Sequence, residues 1–123
     1  MRRLTRELRA ADPDVTADGT ILAFVIQAAD RRMLATMPRA PGASPRHLVS
    51  TPGTHFASPR WSPDGRMLAA DRPLQGGASE IVLVDPATAE VRVISGGDAR
   101  SIDPSWTPDG RAVLFASARE GDV

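Results

Sequence analysis

One stretch of the chain recurs, and its spacing restricts the fold more than any other feature of the sequence. Residues 58–70 read SPRWSPDGRMLAA, and residues 103–115 repeat the pattern as DPSWTPDGRAVLF. A weaker copy, DPDVTADGTILAF, occupies residues 12–24. The interval is about 45 residues, and such an interval between strand-like segments is typical of propellers and other repeat arrays.

Each copy centres on a tight turn that follows a large side chain. Pro63 presets φ at the first corner, Asp64 accepts backbone hydrogen bonds, and Gly65 adopts the left-handed conformation that closes a bulged hairpin. Trp61 precedes this turn, and a ring repeated at one place in each unit is expected to pack against the neighbouring sheet. Because one unit alone cannot cover its apolar faces, the units are expected to stack.

Predicted strands flank the turns and divide the chain into units. Residues 20–26 and 80–85 are rich in Val, Ile and Leu and are bounded by turn residues, which is typical of strands. The sequence predicts a first unit at 12–50, a second at 57–95 and half of a third at 101–123. No helix of ordinary length is predicted.

Residues 1–11 fit two descriptions. Leu4 and Leu8 have the spacing of a short amphipathic helix, whereas Arg3-Leu4-Thr5 suits a short strand. The repeat favours the strand, which would close a unit that precedes the first copy.

The repeated pattern Pro-x-Trp-Ser-Pro-Asp-Gly-x-x-Leu resembles the TolB-type (PD40, WD40-like) β-propeller repeat, and the resemblance covers nearly the whole chain. The matching positions of the second unit are Pro59, Trp61, Ser62, Pro63, Asp64 and Gly65. Those of the third are Pro104, Trp106, Thr107, Pro108, Asp109 and Gly110. The first unit matches at Pro13, Asp18 and Gly19. The resemblance implies an all-β fold of four-stranded blades, and Arg2-Arg3-Leu4-Thr5 resembles a closing strand of the family.

The number of units differs from that of a closed propeller. Propellers typically close with about four to eight blades, whereas this chain predicts about two and a half. Either the chain is a fragment of a longer propeller, or its copies assemble. In the second hypothesis the terminal half-blade of one copy takes the N-terminal strand of another. A homodimer then forms a six-bladed ring, and six is the blade number of the TolB propeller that the chain resembles.

Composition argues against several classes of partner. The 15 basic residues, all Arg, balance 15 acidic residues, so no overall basic field would attract nucleic acid. The chain has no Cys, and no apolar run approaches the roughly 20 residues that cross a membrane. No apolar segment follows the basic start, so no signal peptide is predicted. Propellers of the family that the chain resembles are often periplasmic, and the sequence does not predict the cellular compartment of this chain.

No catalytic motif is present in the sequence. There is no Gly-x-Ser-x-Gly, no Gly-rich phosphate loop and no His-Glu-x-x-His. Gly76-Gly77 and Gly96-Gly97 are predicted to be connections. Three serines stand by turns or strand starts, where hydrogen bonding to the turn is the expected role: Ser58, Ser62 and Ser79.

Two histidines and two repeated aspartates are the remaining candidates for chemistry. His47 and His55 could ligate a metal only if folding brought them together with a carboxylate. Asp64 and Asp109 lack the clustered oxygen ligands of a calcium loop, and hairpin turns explain them better. We therefore expect no catalytic residue, no cofactor and no metal site.

The leading functional hypothesis is a non-catalytic, TolB-like propeller module that binds a protein or peptide. Its plausible contact residues flank the repeated turns, and none is assigned as a site: Arg60, Arg66, Arg100 and Arg111. The alternative is a section of the propeller that gates a prolyl-oligopeptidase-like serine peptidase, whose hydrolase domain would lie outside these residues. A fragment used to study how repeats assemble is a third hypothesis.

Overall fold

A computed structural model describes residues 10–49, 54–74, 78–95 and 99–119. The strands in these ranges are β1 (Ala10–Val15), β2 (Ile21–Gln27), β3 (Arg32–Pro38), β4 (Arg46–Val49), β5 (Ala57–Trp61), β6 (Leu68–Pro73), β7 (Ser79–Val84), β8 (Val91–Ser95), β9 (Ala99–Trp106) and β10 (Val113–Arg119). Among the described residues, no helix has the length and apolar character that a membrane crossing requires.

The first unit is a four-stranded antiparallel sheet in which the strands are neighbours in chain order, β1-β2-β3-β4. β2 and β3 pair without interruption from Ile21 opposite Pro38 to Gln27 opposite Arg32. Five consecutive residues of β2, 22–26, are buried, which explains why this strand reads as a continuous apolar run instead of alternating.

The second unit repeats this order, since β5, β6, β7 and β8 pair antiparallel in sequence. β9 and β10 form a further antiparallel hairpin. A single parallel pair, Ser79 with Arg100, joins this hairpin to β7. An equivalent parallel bridge joins Arg32 at the start of β3 to His55 before β5. Each unit is therefore linked to the next by the same short backbone contact.

The main core lies between the first and second units. The first unit contributes Ala23, Val25, Leu34 and Leu48, Phe56 lies between the units, and the second contributes Trp61, Leu68, Ala70, Val82 and Val84. The opposite face of the first sheet is also buried and consists of Leu22, Phe24, Ile26, Ala35 and Met37. Trp61 is thus packed against the neighbouring sheet, as its repetition predicted.

The all-β fold of antiparallel sheets is confirmed. Ala10 and Ala11 belong to β1, and the rest of the predicted closing strand at 1–11 lies outside the described residues. So do Gly76, Gly77, Gly96 and Gly97 and the side chain of Arg100. The predicted division into 12–50, 57–95 and 101–123, and the number of blades, stay predictions.

Candidate binding site on the leading strands

The repeated turns are closed by a hydroxyl–carboxylate pair. In the second unit, Ser62 donates to Asp64 across 2.6 Å, and the backbone N–H of Arg66 donates to the same oxygen across 3.0 Å. These bonds, the hydroxyl first, lower the pKa of Asp64. Equivalent bonds lower the pKa of Asp18 and Asp109. The structure thus places these aspartates in turn geometry, where one oxygen of each carboxylate accepts the hydrogen bonds of the turn.

A second repeated feature lies within the leading strands, the name used here for β1, β5 and β9, three residues before each strand ends. Asp12, Ser58 and Asp103 stand at equivalent positions and have φ values of 53°, 51° and 56°. Residues other than Gly rarely adopt this conformation, and a residue before Pro is normally extended. Such backbone strain is a reason to look for function.

The three left-handed residues approach one another across the units. The Ser58 backbone N–H donates to Asp12 across 3.5 Å, and the Ser58 hydroxyl donates to Asp103 across 3.5 Å. Arg32 forms an ion pair with Asp12 at 3.4 Å. We call Asp12, Ser58 and Asp103 the axial row, because it joins all three leading strands.

A buried carboxyl lies behind the axial row. Asp71 is only 4% exposed, and it accepts a hydrogen bond from the backbone N–H of Asp103 across 3.2 Å. Burial raises the pKa of Asp71, and the charges of Asp103 and Asp12 raise it further. A cavity of about 530 Å³ opens here, with Asp71, Leu74, Ser79 and Asp103 in its wall.

The leading strands end at a second concavity. A cleft of about 320 Å³ is lined by Trp61 and Trp106 together with Val15, Ala17 and Pro63. We call it the Trp cleft. No residue of the axial row is part of the lining of the Trp cleft.

The other sequence candidates are dispersed. His47 lies in β4 and His55 in the bridge beside β3, and both are exposed. In the part of the chain that the structure describes, no group of three or more His, Asp or Glu side chains could hold a metal. Ser79 is buried at the start of β7.

The arginines proposed as contacts differ in their surroundings. Arg60 is half-buried and donates to the carbonyl oxygen of Pro59 across 2.8 Å. Arg66 and Arg111 are exposed beside their turns. Sequence reasoning did not find the axial row. The signal that could have revealed it is the recurrence of Asp-Pro or Ser-Pro at one position in all three copies.

The curated proteins to which the sequence is similar include a peptidase and a TolB homologue. YuxL of Bacillus subtilis (strain 168), described as an uncharacterized peptidase, is 28% identical over 124 residues, which is 97% of this chain and 19% of that protein. A TolB homologue of Chlorobium chlorochromatii (strain CaD3) is 31% identical over 110 residues, which is 89% of this chain and 24% of that protein. The chain therefore spans less than a quarter of either relative. No family model matches it.

The solved structures that share the fold include two described as TolB. A protein described as TolB from Agrobacterium tumefaciens superposes with a TM-score of 0.77 at 23% identity, over 91% of this chain and 40% of that one. TolB from Acinetobacter baumannii gives a TM-score of 0.70 at 29% identity, over 91% of this chain and 27% of that one.

Repeated antiparallel sheets joined at their leading strands define a propeller-type repeat protein. The relatives and the structures confirm the particular resemblance that the sequence motifs predicted, which is to the TolB-type β-propeller repeat family. One curated relative is described as a peptidase and the other as a TolB homologue. The absence of enzymatic activity therefore stays a prediction.

Proposed function

We propose that the chain is a non-catalytic module that binds a protein or peptide at the axial row. The observation that carries this proposal is the left-handed backbone of Asp12, Ser58 and Asp103. Strain of this kind persists when the surrounding structure holds it, and here it recurs in all three units. Asp12 and Asp103 are exposed, and the adjoining cavity of about 530 Å³ has the size of a small-ligand or side-chain pocket.

The test is selection of peptides from a displayed random library against the full chain. Selected peptides are expected to bind D12N and D103N about tenfold more weakly, since an ion pair or charge-assisted hydrogen bond of about 1.4 kcal/mol is lost. Asn tolerates the left-handed backbone, so the fold is kept. E90Q, at an exposed position after the turn that follows β7, is the control. Equal binding to all variants would refute the axial row as the site.

The predicted closure of two copies into a six-bladed ring is a further proposal. The β9–β10 hairpin supports it, because Leu114 is 61% exposed and, within the described residues, β10 pairs only with β9. The parallel link between units occurs twice, so the same contact could add another unit. Exposed strand edges of this kind favour self-association.

One feature of the first sheet opposes simple closure. Leu22 in β2 and Leu68 in β6 are equivalent positions of the first and second units. The side chain of Leu68 packs towards the preceding unit. In a ring, the face that contains Leu22 would have to contact another copy, but this face is already buried within the chain. Light scattering on a sizing column tests closure. A dimer that L114R dissociates would support the ring, and a stable monomer would refute it.

The alternative function is a section of the propeller that gates a serine peptidase. The similarity to YuxL over 97% of the chain supports it. Under both proposals the 123 residues contain no activated catalytic serine, so a fluorophosphonate probe is expected to leave them unlabelled. Labelling of a serine that heat denaturation abolishes would contradict both.

A further inference from the structure

The cavity beside the axial row contains a buried hydroxyl, that of Ser79. Ser79 is 3% exposed and lines this cavity. In the part of the chain that the structure describes, its hydroxyl makes no hydrogen bond. Buried polar groups are normally hydrogen-bonded, and each exception calls for an explanation. The Ser79 hydroxyl is therefore available to a ligand in the cavity.

The strand register places this hydroxyl on the cavity side of the second unit. Ser79 in β7 lies opposite Pro73 in β6. Residues opposite each other, like residues two apart along a strand, share one face of a sheet. Asp71 and Ser79 therefore project from the same face, which is the face that meets Asp103. The Ser79 oxygen is not one of the fully covered side-chain atoms without a partner, so it remains in contact with the cavity.

The same wall carries negative charge. Asp71, only 4% exposed, and Asp103 both line the cavity, and the described part of its wall contains no basic side chain. Arg32 forms its ion pair with Asp12. Burial and the charges of Asp103 and Asp12 raise the pKa of Asp71, which is the direction expected where no cation adjoins a buried carboxyl. The cavity therefore favours a cation.

The rest of the lining is apolar and restricts the shape of the cation. The described wall is completed by Pro73, Leu74, Ala78 and Ile102. The alkyl stems of basic side chains pack on such surfaces while their charged ends reach polar groups. A volume of about 530 Å³ is within the range of ligand pockets. The lining thus suits a positive charge at the end of an alkyl chain.

We propose that this cavity binds a lysine side chain of a partner protein, an inference that rests on the proposed binding of a protein or peptide at the axial row. The ammonium donates to the carboxylates of Asp71 and Asp103 and to the hydroxyl oxygen of Ser79. The alkyl stem lies on Leu74 and Ile102. An ammonium is a compact charge with three donors, so it matches three separate oxygen groups better than the planar fork of a guanidinium does. The chain contains no Lys, so the lysine comes from a different protein and not from a second copy.

The experiment is an NMR titration of the full chain, labelled with ¹⁵N, with N-acetyl-lysine N-methylamide. N-acetyl-norleucine N-methylamide, which has an alkyl stem without the ammonium, is the control probe, and sodium chloride balances the ionic strength. The lysine probe is expected to shift the amide resonances of Ser79 and Asp103 with saturation and to bind about tenfold more tightly than the norleucine probe. Equal binding of the two probes, or no saturable shift with the lysine probe, would overturn the proposal. Tighter binding of the corresponding arginine probe would overturn the choice of an ammonium.

Two variants make the test specific to the wall of the cavity. D71N removes a charge but keeps an acceptor for the Asp103 N–H, and it is expected to weaken binding of the lysine probe about tenfold. S79A removes only the hydroxyl and should weaken binding several-fold. S105A, at an exposed position of β9 outside the described lining of this cavity, is the matched control for S79A and should bind normally. Full affinity in either D71N or S79A would refute the cavity as the lysine site.

D12N separates this inference from the proposed function. Asp12 is not part of the described lining of the cavity, so D12N is expected to weaken lysine-probe binding much less than D71N does. Library-selected peptides that lose affinity in D12N but keep it in D71N and S79A would support the axial row and refute the lysine pocket. Lysine-probe binding that D71N weakens, together with equal peptide affinity in all variants, would support the pocket and refute the axial row as the peptide site.

Discussion

The interface between the first and second units is apolar, whereas that between the second and third contains a buried acid. Val25 and Asp71 occupy the same register in β2 and β6, and both are buried. Val25 belongs to the main core, while Asp71 adjoins the axial row and its cavity. The comparison shows that the repeat conserves backbone pairing while the chemistry between units diverges. The replacement of the apolar residue by an acid lies beside the candidate site. Functional positions are where such breaks in the pattern of a fold are expected.

The largest expected effect contrasts a phenylalanine buried between the first two units with an exposed phenylalanine in β10. Phe56 is 1% exposed within the main core, and the Arg72 guanidinium lies 5.9 Å from its ring. F56A is expected to lower the free energy of unfolding by about 3–5 kcal/mol. F115A, at a residue 37% exposed, is the matched control and should cost about 1 kcal/mol. Urea unfolding measures both, and equal losses would contradict the contrast.

Replacing the glycine of the repeated turn should cost the same stability at both interfaces. Gly65 and Gly110 have φ values of 71° and 72°. A Cβ at either would meet its neighbouring unit at 3.5 Å, which is ordinary contact. G65A and G110A are therefore each expected to cost about 1–2 kcal/mol through backbone strain alone. Thermal melts followed by circular dichroism would show unequal losses if packing at the turns differed.

Removing the buried charge should change how stability depends on pH. Burial and the nearby Asp103 and Asp12 charges raise the pKa of Asp71, so the folded chain binds this proton more tightly than the unfolded chain. Stability is therefore lost as pH rises from the ordinary value of 3.8 through the folded pKa. D71N stays neutral and keeps an acceptor for the Asp103 N–H, so it should not show this loss.

The measurement is urea unfolding of D71N and the wild type from acid to neutral pH. The stability difference should favour D71N at neutral pH and shrink as pH falls below 3.8. V25N, which places an amide at the same register in the first interface, is the control and should be destabilised at every pH because the amide enters an apolar core. A constant difference between D71N and the wild type would contradict the pKa direction.

The smallest expected effect concerns an exposed contact across the first interface. Arg46 donates to the carbonyl oxygens of Pro86 and Ala87 across 2.6 and 3.1 Å. Because this side chain is exposed, R46A is expected to cost only about 0.5 kcal/mol. Arg92 holds the equivalent register in β8, and R92A should cost less still. A loss in R46A approaching that of F56A would show that polar contacts, not the apolar core, hold the first interface.

The sequence by itself determined the features that depend on neighbours along the chain. Ser62, Pro63, Asp64 and Gly65 form a turn because each residue satisfies a local backbone requirement, and the bounded apolar runs on either side form strands. The repetition of Trp at 61 and 106 correctly predicted packing between sheets for Trp61. These signals are local or periodic, so they can be recognised without knowing which residues from other units make contact.

Only the tertiary structure decided which residues meet across the units. No local rule predicts a left-handed Ser58 before proline, because the contacts with Asp12 and Asp103 come from units about 45 residues away. The burial of Asp71 likewise depends on where the third unit lies. Trp61 and Trp106 look equivalent in sequence, yet one indole N–H has an acceptor and the other has none. The reason is physical, since burial and hydrogen bonding are set by neighbours in space.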